Sequence, residues 1–211
     1  MQIAQNLEMA GPVIGIDFDH TLIDYSALLR DIVETRGLLA EIPQNKKNIR
    51  DALWLLPEGD LKWREIQEEM YGQRIAEAKP AAGVLDFLQA CKKKRIEVYV
   101  VSHKTEYSSL RPGINFRLVA QNWMKNNAFF SNEIGLNENK VFFEPTRREK
   151  IQRIKQIGCT HFIDDLEEVF SDLSFPPKVV KILYASPPSQ SSGVILKKNW
   201  GEIHDYFFGW P

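Results

Sequence analysis

Five short apolar, β-rich runs recur along the chain: VIGIDF (13–18), IEVYVVS (96–102), KVFFE (140–144), THFID (160–164) and VVKILYA (179–185). Runs of this length without a polar alternation suit strands buried on both faces of a parallel sheet. Helical patterns separate them. LDFLQACKKK (85–94) sets Leu85, Leu88 and Cys91 on one stripe, and FRLVAQNWMKNN (116–127) does so with Leu118, Val119, Trp123 and Met124. REKIQRIKQIG (148–158) uses Ile151, Ile154 and Ile157, with Gly158 as the expected C-terminal cap. Strands alternating with helices predict an α/β fold with a mostly parallel sheet and right-handed crossovers.

One interval breaks the rhythm. Almost eighty residues separate the first two strands, far more than one crossover helix needs. The stretch contains amphipathic patterns such as YSALLRDIVETRGLL and GDLKWREIQEEMYGQRI, and predicts a small helical cap over 24–80, left at KPAAG. Residues 1–23 and 81–211 then form the α/β core. The alternative is a set of extra helices packed flat on the sheet. Trp54, Trp63 and Tyr71 are expected in the core of this lobe.

The first strand runs directly into two acids, Asp17 and Asp19, within DFDHT. An aspartate capping the next helix explains one acid but not two. Carboxylates at a strand end leave the core for the crevice where open α/β sheets bind ligands. Further polar groups close other elements of the same kind: Ser102 at the end of VVS, Lys150 in the first turn of a helix, and Asp164 with Asp165 in FIDD. Each alone has an ordinary explanation, a turn, a solvated helix face or a cap. In this order they form one constellation.

DFDHT, VVS, Lys150 and FIDD together resemble the four motifs of the haloacid-dehalogenase-like (HAD) superfamily of phosphotransferases. The likeness spans about Val13 to Ala185, and the predicted cap falls where members with a C1-type cap carry theirs. The resemblance implies a Rossmannoid three-layer sandwich with strand order 5-4-1-2-3, a bound Mg²⁺ and an aspartyl-phosphate mechanism. It implies Asp17 as nucleophile, Asp19 as general acid and base, and Ser102 and Lys150 as phosphate-binding and charge-balancing groups. The metal would be held by Asp17, Asp164, Asp165 (directly or through water) and the backbone carbonyl of Asp19. Arg147 or Arg148 are alternatives to Lys150. Thr21, through its hydroxyl, and His20, His103 and Lys104, which flank the site loops, are candidates to fix the loop or touch substrate, and Arg64, Trp63 or the basic loop HKTEYSSLRPG (103–113) is expected to help choose it. Glu168 is expected on a solvated helix face, His161 against the sheet, and His204 has no supporting pattern.

The chemistry is consistent with those roles. A carboxylate nucleophile divides one hard hydrolysis into two easier steps, and a second acid can protonate the leaving oxygen and then activate water. Acids meeting a dianionic phosphate need a cation. Two unit charges ~4 Å apart repel by roughly 4 kcal/mol at an effective dielectric near 20, and all-oxygen ligands suit Mg²⁺.

The reading is therefore a Mg²⁺-dependent phosphatase, a phosphoric monoester hydrolase acting on a small phosphorylated metabolite. The alternatives are a phosphomutase or phosphotransferase of the same superfamily, or a weakly active regulatory module. Lys+Arg 27 against Asp+Glu 28 argues against non-specific binding to nucleic acid or anionic membranes. KKKR at 92–95 suits a helix C-terminus. Only Cys91 and Cys159 occur, without metal-ligand spacing, so a reducing cytoplasm is expected. MQIAQNLEMAGP lacks a basic, apolar leader pattern, and PPSQSSG (187–193) reads as a surface loop.

Overall fold

The computed structural model describes residues 11–110, 113–185 and 193–209. The first ten residues and nearly all of the expected 187–193 loop lie outside the described residues. Six strands form a parallel sheet: β1 (Val13–Ile16), β4 (Glu97–His103), β5 (Val141–Glu144), β6 (His161–Asp164), β7 (Val180–Tyr184) and β8 (Ile195–Lys197). Their order is β5-β4-β1-β6-β7-β8. Numbered as five core strands, this is the expected 5-4-1-2-3 order read from the far edge. The additional edge strand β8, parallel to β7, was not read from the sequence.

Helices α4 (Val84–Lys93), α5 (Phe116–Asn126), α6 (Arg147–Ile157), α7 (Glu167–Phe170) and α8 (Trp200–Phe208) accompany the sheet. Ile14 and Ile16 on β1 and Phe162 and Ile163 on β6 are fully buried. Each such side chain contributes about 1.5–3 kcal/mol on removal from water. Gly15 lets β1 and β6 pack this closely, because a Cβ there would lie 2.5 Å from the Phe162 ring and 2.9 Å from Cys159 Sγ. The helix stripes shift from expectation at two places. On α4 the buried row is Val84, Phe87, Leu88 and Cys91, with Leu85 only partly covered. On α5 Phe116 and Ala120 are buried beside Trp123 and Met124, whereas Leu118 is 54% exposed.

α6 is closed at both ends. Thr146 Oγ1 accepts the Glu149 N–H at 3.2 Å and donates to Glu149 Oε2 at 2.6 Å, a reciprocal cap. At the other end Gly158 adopts φ 75°, and its N–H reaches the carbonyls of Ile154 and Lys155, as its position predicted.

Between β1 and β4 the chain leaves the sheet through β2 (Ile23–Asp24) and returns through β3 (Lys79–Pro80), two short strands paired antiparallel. α1 (Ser26–Thr35), α2 (Lys46–Trp54) and α3 (Gly59–Glu68) lie between them, and α3 runs into a π-turn over Glu69–Gln73. The helices are not separately cored. Leu29, Ile32, Ile66 and Met70 belong to the same apolar cluster as Ile14, Phe87 and Trp123. Trp63 is buried as expected, but Trp54 is 50% exposed and lies beneath the Arg50 guanidinium, 4.6 Å from its ring centre.

Candidate active site

Adjacent parallel strands ending in step bring the acids together. Ile16 pairs with Ile163, and the Asp17 N–H donates to the Ile163 carbonyl at 2.9 Å. Asp17 and Asp164 therefore leave β1 and β6 at the same edge. With Asp165 they offer carboxylate oxygens all within 4.8 Å of one another. Ser102, at the end of β4, is 1% exposed and lines the same cavity.

Lys150, from the first turn of α6, reaches between the acids. Its Nζ donates to Asp17 Oδ1 at 2.5 Å and Asp164 Oδ2 at 2.6 Å, and the residue is 2% exposed. Arg148 is exposed, and Arg147 lines the cavity from an exposed position without touching either acid in a described ion pair. Asp164 Oδ1 accepts the Leu166 N–H at 3.0 Å. Burial pushes the Asp164 carboxyl up to about 7. Lys150 opposes that rise, while Asp17 and Asp165 add to it. Burial also raises Asp165, against the pull of Lys46, whose Nζ lies 3.0 Å from Asp165 Oδ2. Lys150 itself stays charged, because the two carboxylates outweigh the burial that would lower its pKa.

Three acids against Lys150 and Lys46 leave an excess of negative charge, and burial first, with the neighbouring acids adding to it, holds Asp164 and Asp165 above the ordinary carboxylate range. A hard divalent cation relieves it, and an all-carboxylate donor set fits Mg²⁺. The residues present fit the implied metal.

The Asp19 side chain is not part of that triad. Lys104 Nζ lies 2.8 Å from Asp19 Oδ2 and 3.1 Å from Oδ1, and the Tyr25 hydroxyl donates to Asp19 Oδ1 at 2.8 Å. Only the Asp19 backbone carbonyl is left for a metal. Lys104 is 4% exposed and lies over the rings of Phe18 and Tyr71, 5.5 and 4.9 Å from their centres. This lysine alternates with Ser102 in an extended segment, the one signal that places it on the cavity side.

His20 adopts φ 62°, a left-handed conformation that costs a side chain like this strain. Its Nε2 shares a hydrogen bond of 3.0 Å with Tyr71 Oη. Burial, then Lys46 and Lys104, hold His20 neutral, while burial and Asp19 keep Tyr71 protonated. His103 Nε2 donates to the Pro145 carbonyl at 3.0 Å, so its ring is turned along the rim. Thr21 is fully buried and lies off the cavity lining. Its Oγ1 has no partner among the described residues, so the expected loop bond through that hydroxyl is absent, and its carbonyl accepts Trp200 Nε1 at 3.0 Å. Glu168 is exposed, and His161 packs on Phe207 at 5.0 Å.

The acids open onto a cavity of about 510 Å³ between the sheet edge and the helical insertion. Lys46, Arg50, Trp63, Arg64, Glu68 and Tyr71 line it from the insertion side. Tyr71 was expected as lobe core, whereas Trp63 and Arg64 were also candidates to choose the substrate, and both line the cavity. Lys46 and Glu68 were not singled out, since each belongs to a run of like residues (NKKN, QEE) that reads as a solvated face.

No protein-family model and no curated protein sequence matches this chain. Solved structures do. A HAD hydrolase of family IA, variant 3, from Entamoeba histolytica superposes with a TM-score of 0.57 at 18% identity, covering 90% of this chain and 94% of that one. A HAD family hydrolase from Deinococcus radiodurans, solved with phosphate and sodium bound, gives 0.55 at 12%, covering 93% and 94%. A haloacid-dehalogenase-like hydrolase from Xanthomonas campestris gives 0.51 at 10%, covering 93% and 94%. The chain has the fold of the HAD-superfamily hydrolases, over nearly its whole length.

Proposed function

We propose that this protein is a Mg²⁺-dependent phosphatase that hydrolyses a small phosphorylated metabolite through a phosphoryl group carried on Asp17. The observation that carries the reading is the buried Lys150 held between Asp17 and Asp164, with Asp165 and Ser102 at the same cavity floor. A structural ion pair does not call for a third acid, a buried serine and an open cavity in the same place.

In the first step an Asp17 carboxylate oxygen attacks phosphorus and the ester P–O bond breaks, the leaving oxygen taking a proton from Asp19. In the second, water attacks phosphorus, its proton passes to Asp19, and the P–O bond to Asp17 breaks. Asp17, Asp164 and Asp165 would hold Mg²⁺, which when bound would supply positive charge to offset that of the phosphoryl oxygens. Lys150 fixes the Asp17 carboxylate and offsets part of the local charge, and Ser102 donates a hydrogen bond to a phosphoryl oxygen. Tyr25 and Lys104 fix Asp19 beside the floor. Positioning and charge stabilisation of this kind carry most of phosphoryl-transfer catalysis.

The test is hydrolysis of an aryl phosphate with Mg²⁺, with chelator, and with chelator followed by Mg²⁺. Release should stop on chelation and return with the metal, with Ca²⁺ a poor substitute because Mg²⁺ demands tight octahedral geometry. Full turnover in metal-free buffer contradicts the assignment.

A further inference from the structure

The insertion wall of the cavity contains an acid that the chemistry above does not use. Glu68, in the last turn of α3, lines the cavity, is 5% exposed, and has an Oε1 with no hydrogen-bond partner among the described residues. Its neighbours in sequence show how unusual this is. Glu65 and Glu69 are partly exposed and both pair with Arg36, Glu69 with Arg74 as well. Arg64, one turn before Glu68, pairs with Asp60 instead, at 3.0 Å. Gln67, which also lines the cavity, is engaged with Tyr71.

A buried carboxylate oxygen without a donor is destabilising. Such groups persist where a ligand supplies what the fold withholds. The π-turn that follows directly, Glu69–Gln73, is a distortion concentrated at functional sites. It is pressed against Ile114 and Phe116, which would lie 3.0 Å from a Cβ at Gly72. The turn therefore fixes where Glu68 and Tyr71 point.

We infer that Glu68 is a specificity-determining residue that accepts a hydrogen bond from a hydroxyl on the leaving group of the substrate, a polyhydroxylated phosphate ester of the sugar-phosphate class. The inference rests on the phosphatase reading for the end of the substrate that meets Asp17. Carboxylates also recognise ammonium groups, but the charge of this cavity disfavours one. On the insertion wall where Glu68 sits, the lining carries Lys46, Arg50 and Arg64 against this one acid. A neutral hydroxyl satisfies Glu68 without that repulsion. Trp63, Tyr71 and Phe116 on the same lining supply apolar faces for a sugar ring. A site built to hydrogen-bond a hydroxyl strongly rejects the analogue that lacks it, because its own polar group is then left unpaired.

The test is binding calorimetry in Mg²⁺ on the full chain carrying Asp17→Asn, which removes the nucleophile, with and without Glu68→Met or Glu68→Gln. The probes are glucose 6-phosphate, hexyl phosphate and 6-aminohexyl phosphate. Glucose 6-phosphate should bind more tightly than hexyl phosphate, and Glu68→Met should reduce that preference by about 10–100-fold, the span of a hydrogen bond to a charged group. Glu68→Gln, which keeps an acceptor oxygen, should reduce it less. Glu68→Met should also raise the melting temperature of the ligand-free protein, which an acid with a purely structural role would not do. The inference is overturned if the preference is missing, if it survives Glu68→Met, if 6-aminohexyl phosphate is the probe that depends on Glu68, or if the variant loses stability and all three affinities together. Turnover by the unaltered protein is measured alongside. Loss of turnover with Glu68-dependent binding intact sinks the phosphatase reading alone, and turnover with Glu68-independent binding sinks this inference alone.

Discussion

At the scale of single residues, everything turns on Lys150 being both buried and shared. Removing one partner from a buried ion pair leaves uncompensated charge, at a cost of about 3–5 kcal/mol. Lys150→Met should lower unfolding stability by that amount in chelator, measured by denaturant titration, and Mg²⁺ should recover part of it. Asp164 sets a pH dependence of opposite sense to an exposed salt bridge. Its folded-state pKa is raised, to about 7, so between the ordinary carboxylate value and that point the folded protein binds more protons than the unfolded chain. Stability is then lost as pH rises through the window. In chelator the melting temperature should fall from pH 5 to pH 8, and added Mg²⁺ should stabilise more at pH 8 than at pH 5, since the ligands must be deprotonated. A melting temperature that rises with pH in chelator contradicts the charge excess at the site.

At the scale of elements, α6 delivers Lys150, and its first turn hangs on Thr146. Thr146→Ala should cost about 1 kcal/mol and lower activity by loosening Lys150, read as a drop in melting temperature together with a fall in kcat. The strands and motif positions were legible because buried parallel strands write their burial as continuous apolar runs, and because acids directly after such runs are few. The α6 stripe and its Gly158 cap were legible for the same local reason. Leu118 was misread because α5 turns a narrower face to the core than its apolar residues suggest: Phe116 and Ala120 fill the place it was assigned. β8 was missed because three half-buried residues carry too short a pattern. Asp19's partners were invisible because Tyr25 and Lys104 lie 6 and 85 residues away along the chain. Glu68 was invisible because its burial at the cavity wall comes from the fold, while its own neighbourhood in sequence is acidic and reads as a solvated face.

At the scale of the whole molecule, the insertion over 24–80 shares its apolar cluster with the sheet and α5, and Trp123 Nε1 donates to the Ala78 carbonyl at 3.0 Å. Replacing it by a short linker would remove Tyr25, the partner of Asp19, and strip cover from Trp123, so the truncated chain should lose cooperative unfolding, checked by calorimetry. The insertion is better altered by side chain than by deletion. It comes close to the floor, where Lys46 pairs with Asp165, and on the phosphatase reading proposed above it would cover the phosphoryl group and meet the leaving group. The central claim is that Asp17 carries the phosphoryl group, and the most direct measurement is mass spectrometry of protein acid-quenched during turnover of an aryl phosphate in Mg²⁺. The account predicts a peptide containing Asp17 that is heavier by one phosphoryl group, more abundant in Asp19→Asn, whose second step lacks its base, and missing in Asp17→Asn. Turnover with no phosphorylated peptide in Asp19→Asn, or with the increment on a peptide lacking Asp17, would contradict it.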